Sequence, residues 1–234
     1  MKVFFYYFLL FFIYSVLGWI IESSLVSFYE KKFVNRGFLI GPYCPIYGYG
    51  SLAMILYLDQ YKDNAITVFL LGVVICTILE YFTSYIMEVL FKTRWWDYSD
   101  KKFNLNGRVC GKNAILFGIG GIFIIYVAQP FLTKILSFIP DIALFPISIV
   151  LFIIFLTDTI FSLNIMTRFK KTITSIDLKK DSTQEFSKMV RDAISNNHRI
   201  FQKRLMTAFP NLDFNKVIEF KNKIKEELRE TSKK

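Results

Sequence analysis

Histidine is nearly absent from this sequence. The single one, His198, lies in the charged carboxyl-terminal part, which excludes a histidine-based zinc site and a Ser-His-Asp triad from the apolar part of the chain. No GxxxxGK[ST] segment is present, so ATP is not bound in the P-loop manner. Cysteine is scarce as well: Cys44, Cys76 and Cys110 are too few and too scattered for a disulfide framework. A nucleophile at Cys44 or Cys110 would need an Arg, a Lys or a helix terminus to activate it. No cofactor and no metal are expected. Acids are outnumbered, 19 against 29 Lys and Arg, a balance that in a soluble protein raises the question of nucleic acid. No nucleic-acid-binding signature accompanies the charge, and the chain is not read as a nucleic-acid binder.

Apolar and aromatic residues are what the chain has in excess. It is 53% hydrophobic and carries 26 Phe, with a mean hydropathy of +0.39, too apolar for an ordinary soluble domain. The apolar mass lies almost entirely in the first 166 residues. A membrane-spanning helix needs about 20 mostly apolar residues, and five segments qualify or nearly do: Val3–Phe28, Pro42–Leu58, Ile66–Leu90, Asn113–Leu136 and Ile142–Ile165. The second is the shortest and begins in a Gly-Pro-Tyr-Cys-Pro turn, which leaves a re-entrant path open for part of it. The first run is longer than a signal-peptide core and no A-x-A site follows it, so it reads as a retained helix. The expected fold is all-α, a polytopic membrane helix bundle of about five transmembrane helices over residues 1–167. A basic tail follows over 168–234, in which Phe186, Val190, Ile194, Phe201, Leu205 and Phe209 recur at amphipathic-helix spacing up to Pro210.

Five crossings put the termini on opposite sides, and basic residues decide which side is which. With the amino terminus outside, the outer segments hold only Lys2, Lys62 and Lys134 of the 29 Lys and Arg. The carboxyl terminus is then cytoplasmic, in a cell membrane whose bilayer is the first partner. Two polar patches fall on the cytoplasmic side, NRGFLIGPYCPIYGYG from Asn35 to Gly50 and RWWDYSDKKFNLNGRVC from Arg94 to Cys110.

Charged groups at membrane depth cost a few kcal/mol each even on the lenient insertion scale, so each acid there needs a reason. Tyr14, Gly18 and Glu22 share one helix face, as do Glu80, Ser84 and Glu88. One reading has Glu22, Glu80 and Glu88 lining a polar cavity and meeting Arg36, Arg94 or Arg108; the other leaves Glu22 and Glu88 solvated near the interface. Asp158 is the sole acid inside the fifth helix and reads as a pairing residue. Trp95 and Trp96 suit a membrane interface, yet Arg94 and Asp97 flank them, and an Arg held over an indole makes a platform for phosphate or carboxylate. Asn106-Gly107-Arg108 and Asn35-Arg36 offer donors beside Gly. Tyr43, Cys44 and Tyr47 border a Gly-Pro/Cys-Pro turn whose freed backbone must face protein or water. Gly118, Gly120 and Gly121 read as a close-packing surface.

The stretches GWIIE (Gly18–Glu22), NRGFLIGPYCPIYG (Asn35–Gly48), Glu80 and Glu88 followed by RWWDYS (Arg94–Ser99), and NLNGRVC (Asn104–Cys110) together resemble the ABC-transporter type IV (CmpB-like) family of bacterial integral membrane proteins. RLMTAFP (Arg204–Pro210) is similar to that family's carboxyl-terminal segment. The resemblance implies a permease-like membrane protein whose energy, where it comes from ATP, is supplied by a separate ATPase subunit, with homo-oligomerisation left open. It names no substrate. Two other readings stand beside it: a membrane-embedded enzyme or binding protein for anionic, lipid-like ligands, and an assembly or regulatory subunit. The absence of an evident inverted repeat speaks against a complete secondary transporter.

Overall fold

The structure, a computed structural model, describes residues 2–91 and 94–175, together with Arg204 and Ala208. Every named element is helical: α1 (Lys2–Glu30), α2 (Pro45–Leu58), α3 (Ala65–Phe91), α4 (Gly111–Phe123), α5 (Gln129–Leu136) and α6 (Asp141–Ser175). A 3-10 turn (Asp59–Tyr61) follows α2, and a π-helical stretch (Ile124–Ala128) joins α4 to α5. Pro130 in the first turn of α5 has no N–H for the preceding turn, which accounts for the widened ladder there. The amphipathic reading of 186–210 lies outside the described residues.

Contacts divide the chain into two units, Met1–Thr83 with Tyr98–Ile160, and Ser84–Asp97 with Phe161–Lys234. In the first, α1 and α2 pack closely because two glycines let them. A Cβ on Gly48 would stand 2.6 Å from the Phe11 carbonyl, and one on Gly18 would stand 2.2 Å from the Tyr47 ring. Gly118 of α4 meets α3 in the same way, an added Cβ standing 2.5 Å from the Phe69 ring, and Gly121 lies in ordinary contact with Gly72. Gly120 has open space beside its Cα instead, so it is not part of that contact. Asn64 starts α3 by accepting the N–H groups of Ile66 and Thr67, both at 3.1 Å.

Among the described residues four helices are long and apolar enough to cross a membrane: Lys2–Glu30, Ala65–Phe91, Gly111–Leu136 (taken through the π stretch) and Asp141–Arg168. The chain is a multi-pass membrane protein. α2 has 14 residues, about 21 Å at 1.5 Å per residue, short of an approximately 30 Å hydrocarbon core. The loop ahead of it supplies further length. The Cys44 N–H donates to the Ser15 carbonyl at 2.8 Å, so the loop after α1 has already returned to the middle of α1 before α2 begins. α2 then runs toward the start of α1, where Ile55 joins Leu9, Leu10, Tyr14, Leu132, Leu136 and Leu144 in one buried cluster. Lys2 pairs there with Asp141, Tyr6 with Thr133, and the Tyr126 hydroxyl with the Lys62 carbonyl. The loop and α2 together therefore run back along α1, half loop and half helix. Hydropathy alone sees only the helical half.

Candidate functional site

The first loop, residues 31–44, is stitched to α1 along one face. Ser27 and Ser23, one helical turn apart, accept the N–H groups of Val34 (2.9 Å) and Arg36 (3.2 Å). Asn35 accepts from the Trp19 indole (2.8 Å) and the Gly37 N–H (3.1 Å) and donates to the Ile40 carbonyl (3.0 Å). Asn35, a candidate for ligand contact, spends both ends of its amide on shaping this loop. From α6, Asp158 accepts three bonds at the loop's innermost bend: Ile40 N–H at 3.0 Å, Gly41 N–H at 2.7 Å and the Tyr43 hydroxyl at 2.6 Å. Tyr43 and Asp158 thus hold the backbone that proline and the helix break would otherwise leave bare.

That loop delivers Arg36 and Tyr47 to Glu22. The Tyr47 ring lies over Gly18, one turn before Glu22, and its hydroxyl donates to the Glu22 carboxylate. Arg36 Nε stands 3.6 Å from the same carboxylate. The face shared by Tyr14, Gly18 and Glu22 turns inward as the spacing predicts, and Glu22 is paired, not merely solvated. Cys44 is buried and forms the N-cap of α2 without a side-chain capping bond, with Pro45 opening the helix.

The second loop from Tyr98 to Cys110 is a tight hairpin. Leu105 and Val109 bridge, and Asn106 and Gly107 both adopt positive φ, 53° and 67°, the Asn-Gly pairing that such a turn requires. Asn106 then donates to the Tyr81 hydroxyl at 3.0 Å, and Arg108, buried, lies over the Tyr81 ring at 5.6 Å. The turn returns the chain so that the Gly107 carbonyl accepts the Tyr98 N–H at 2.8 Å, setting Tyr98 beside Glu80.

Glu80 is 7% exposed. Its Oε1 accepts long bonds of 3.4 Å from the Tyr98 hydroxyl and from Asn113 Nδ2 of α4. Among the described residues no arginine pairs with Glu80, so the expected Glu80–Arg pairing gives way to neutral donors. Burial, then the charge of Glu80 and further that of Glu22, drive the Tyr98 phenol well above its ordinary value. Both carboxylates therefore bear on one phenol, and Glu22, Tyr47, Tyr98 and Glu80 form a single polar cluster in the first unit.

The two hairpins that meet there are built alike. In each, a first helix carries the acid (Glu22, Glu80), a loop with Asn, Gly and Arg follows, and a buried Cys caps the next helix (Cys44, Cys110). The residue three positions after that Cys, Tyr47 or Asn113, donates to the acid. Neither Tyr98 nor Asn113 stands out in the sequence as a ligand for an acid. The shared Cys-plus-three spacing is the signal that identifies Asn113, and it becomes visible only once the acid partners are known.

In the second unit Glu88 is 3% exposed and accepts from Arg94 Nε at 3.3 Å, while Arg94 Nη1 stands 3.4 Å from Asp97. Glu88 is thus a buried ion-pair partner. Trp95 is buried against Phe91, ring centroids 6.4 Å apart at 77°, and Trp96 is half-buried. The Arg94–Asp97 pairing expected of the RWWDYS segment is present.

A family model described as Putative ABC-transporter type IV matches residues 9–163, a span that takes in every side chain of these clusters and ends before the Arg204–Pro210 segment. No curated protein and no solved structure matches the chain.

Proposed function

The chain belongs to the Putative ABC-transporter type IV family, and on that premise we propose that it is the permease-like membrane subunit of a transporter. The Glu22–Arg36 and Glu80–Tyr98 groups form its polar site, at the cytoplasmic side, and a separate ATPase chain supplies the energy. The observation that carries this reading is the half-loop, half-helix second pass. Broken spans of this kind bring backbone and polar side chains to membrane depth only where they line a path or a site. The skew of Lys and Arg supports the orientation, with the amino terminus outside and residues 168–234 as a cytoplasmic tail. Arg36 supports a second reading, a binding protein for anionic, lipid-like ligands, because its side chain keeps 25% of its surface exposed beside Glu22 and a guanidinium suits phosphate.

The full chain, tagged and purified from its own membrane in mild detergent, is expected to bring down a P-loop ATPase in fixed stoichiometry. That complex should hydrolyse ATP, with hydrolysis altered by Arg36→Ala. Recovery of the chain with bound anionic lipid and no ATPase activity supports the second reading and removes the first.

A further inference from the structure

Among the described residues, Glu80 has neither the positive partner nor the backbone donors that the other inward-facing acids have. Glu88 has Arg94, and Glu22 has Arg36 as well as the Tyr47 hydroxyl. Asp158 has two backbone N–H groups and a phenol at 2.6–3.0 Å. Glu80 has two neutral donors, both at 3.4 Å and both on Oε1. Its Oε2 is buried and meets no hydrogen-bond partner among the described residues. The titratable groups that face it are Glu22 from α1, Tyr98 from the second loop and Cys76 one turn back on α3, with the neutral Asn113 from α4. None of these brings a positive charge.

An isolated carboxylate in a low-dielectric interior costs far more than the bonds at Oε1 return, and such a group neutralises itself by taking a proton. The matched hairpin makes the same point by contrast. At Glu22 a guanidinium stands where Glu80 has nothing. We propose that Glu80 is a reversible proton-binding site of this membrane protein, loaded at Oε2. On loading, an O–H bond forms at Oε2 with a proton taken from water. On release that bond breaks, the electron pair stays on the carboxylate, and the proton returns to water at the cytoplasmic loop side. A membrane component with such a site has a means of coupling its work to proton movement, whether or not ATP also drives it. The inference deepens the transport reading, but its test uses the chain alone and needs neither a substrate nor an ATPase. Its failure therefore leaves that reading untouched.

Dicyclohexylcarbodiimide, an apolar reagent, modifies protonated carboxyls and spares carboxylates. Purified full-length chain in detergent is treated with it in mildly acidic and in alkaline buffer, and the adducts are located by peptide mass spectrometry. The expected result is an adduct at Glu80 in acid that is lost in alkali, with ion-paired Glu88 unmodified in both. Infrared difference spectra between the same two buffers should show a protonated-carboxyl C=O band that Glu80→Gln removes and Glu22→Gln keeps. No adduct at Glu80 in acid, or a band that survives in Glu80→Gln, overturns the proposal. The wild-type labelling decides the matter even where the Gln variant fails to fold.

Discussion

Asp158→Ala is expected to unfold the first loop and lower stability by about 2–6 kcal/mol, taking roughly 1–3 kcal/mol for each of two backbone donors left unmade. The reason lies in the number of groups one carboxylate serves. Ile40 N–H, Gly41 N–H and the Tyr43 hydroxyl all converge on it, and Pro42 beside them can offer no alternative backbone bond. With the acid gone, the loop can no longer hold Cys44 against Ser15, and α2 loses its starting point. Asp158→Asn keeps one acceptor oxygen and is expected to fall between wild type and Ala. Thermal unfolding of the detergent-purified chains measures the order. Equal melting of all three would show that the loop is held by something other than Asp158.

The second large effect is expected at Glu88. Its carboxylate is buried and paired to Arg94, so Glu88→Ala leaves a guanidinium that is only 17% exposed without its main counter-charge. Breaking a buried pair from one side costs about 3–5 kcal/mol, and the remaining Asp97 contact at 3.4 Å brings the expectation to the lower part of that range. Arg94→Ala strands Glu88 more deeply and should cost at least as much. The double variant Glu88→Ala/Arg94→Ala removes both charges and should recover part of the loss. A double-mutant cycle read by thermal unfolding separates this from simple loss of packing, because packing losses add and stranded charges do not.

Much of this arrangement was legible in the residue order. Hydropathy located four long spans, and the spacing of Gly18 and Glu22 indicated an inward face, because both signals are local. Arg94–Asp97 and Asn106-Gly107 are also local and appear where the sequence places them. The path of the first loop was only half legible: a stretch of irregular, bent backbone between Asn35 and Cys44 has no long apolar run to announce that it packs along α1. Asp158 read as a mere pairing residue because its partners lie 115 to 118 positions away. Glu80 read as an arginine partner because sequence shows charge but not reach. Its donors are Tyr98 and Asn113, 18 and 33 positions on, brought in by the hairpin that turns at Asn106-Gly107.

In the proposed function the first loop and α2 together carry the chain across the membrane and leave Arg36 and Glu22 open to the cytoplasmic side. Single cysteines placed by Arg36→Cys and Lys62→Cys, in a chain whose three native cysteines are replaced by Ser, can be probed in intact and permeabilised cells with a membrane-impermeant maleimide. The predicted result is labelling at position 62 in intact cells and at position 36 only after permeabilisation. Labelling of both positions under the same condition would mean that α2 does not complete a crossing, and a position 36 that never labels would mean that this position is sealed from solvent and not part of an accessible site.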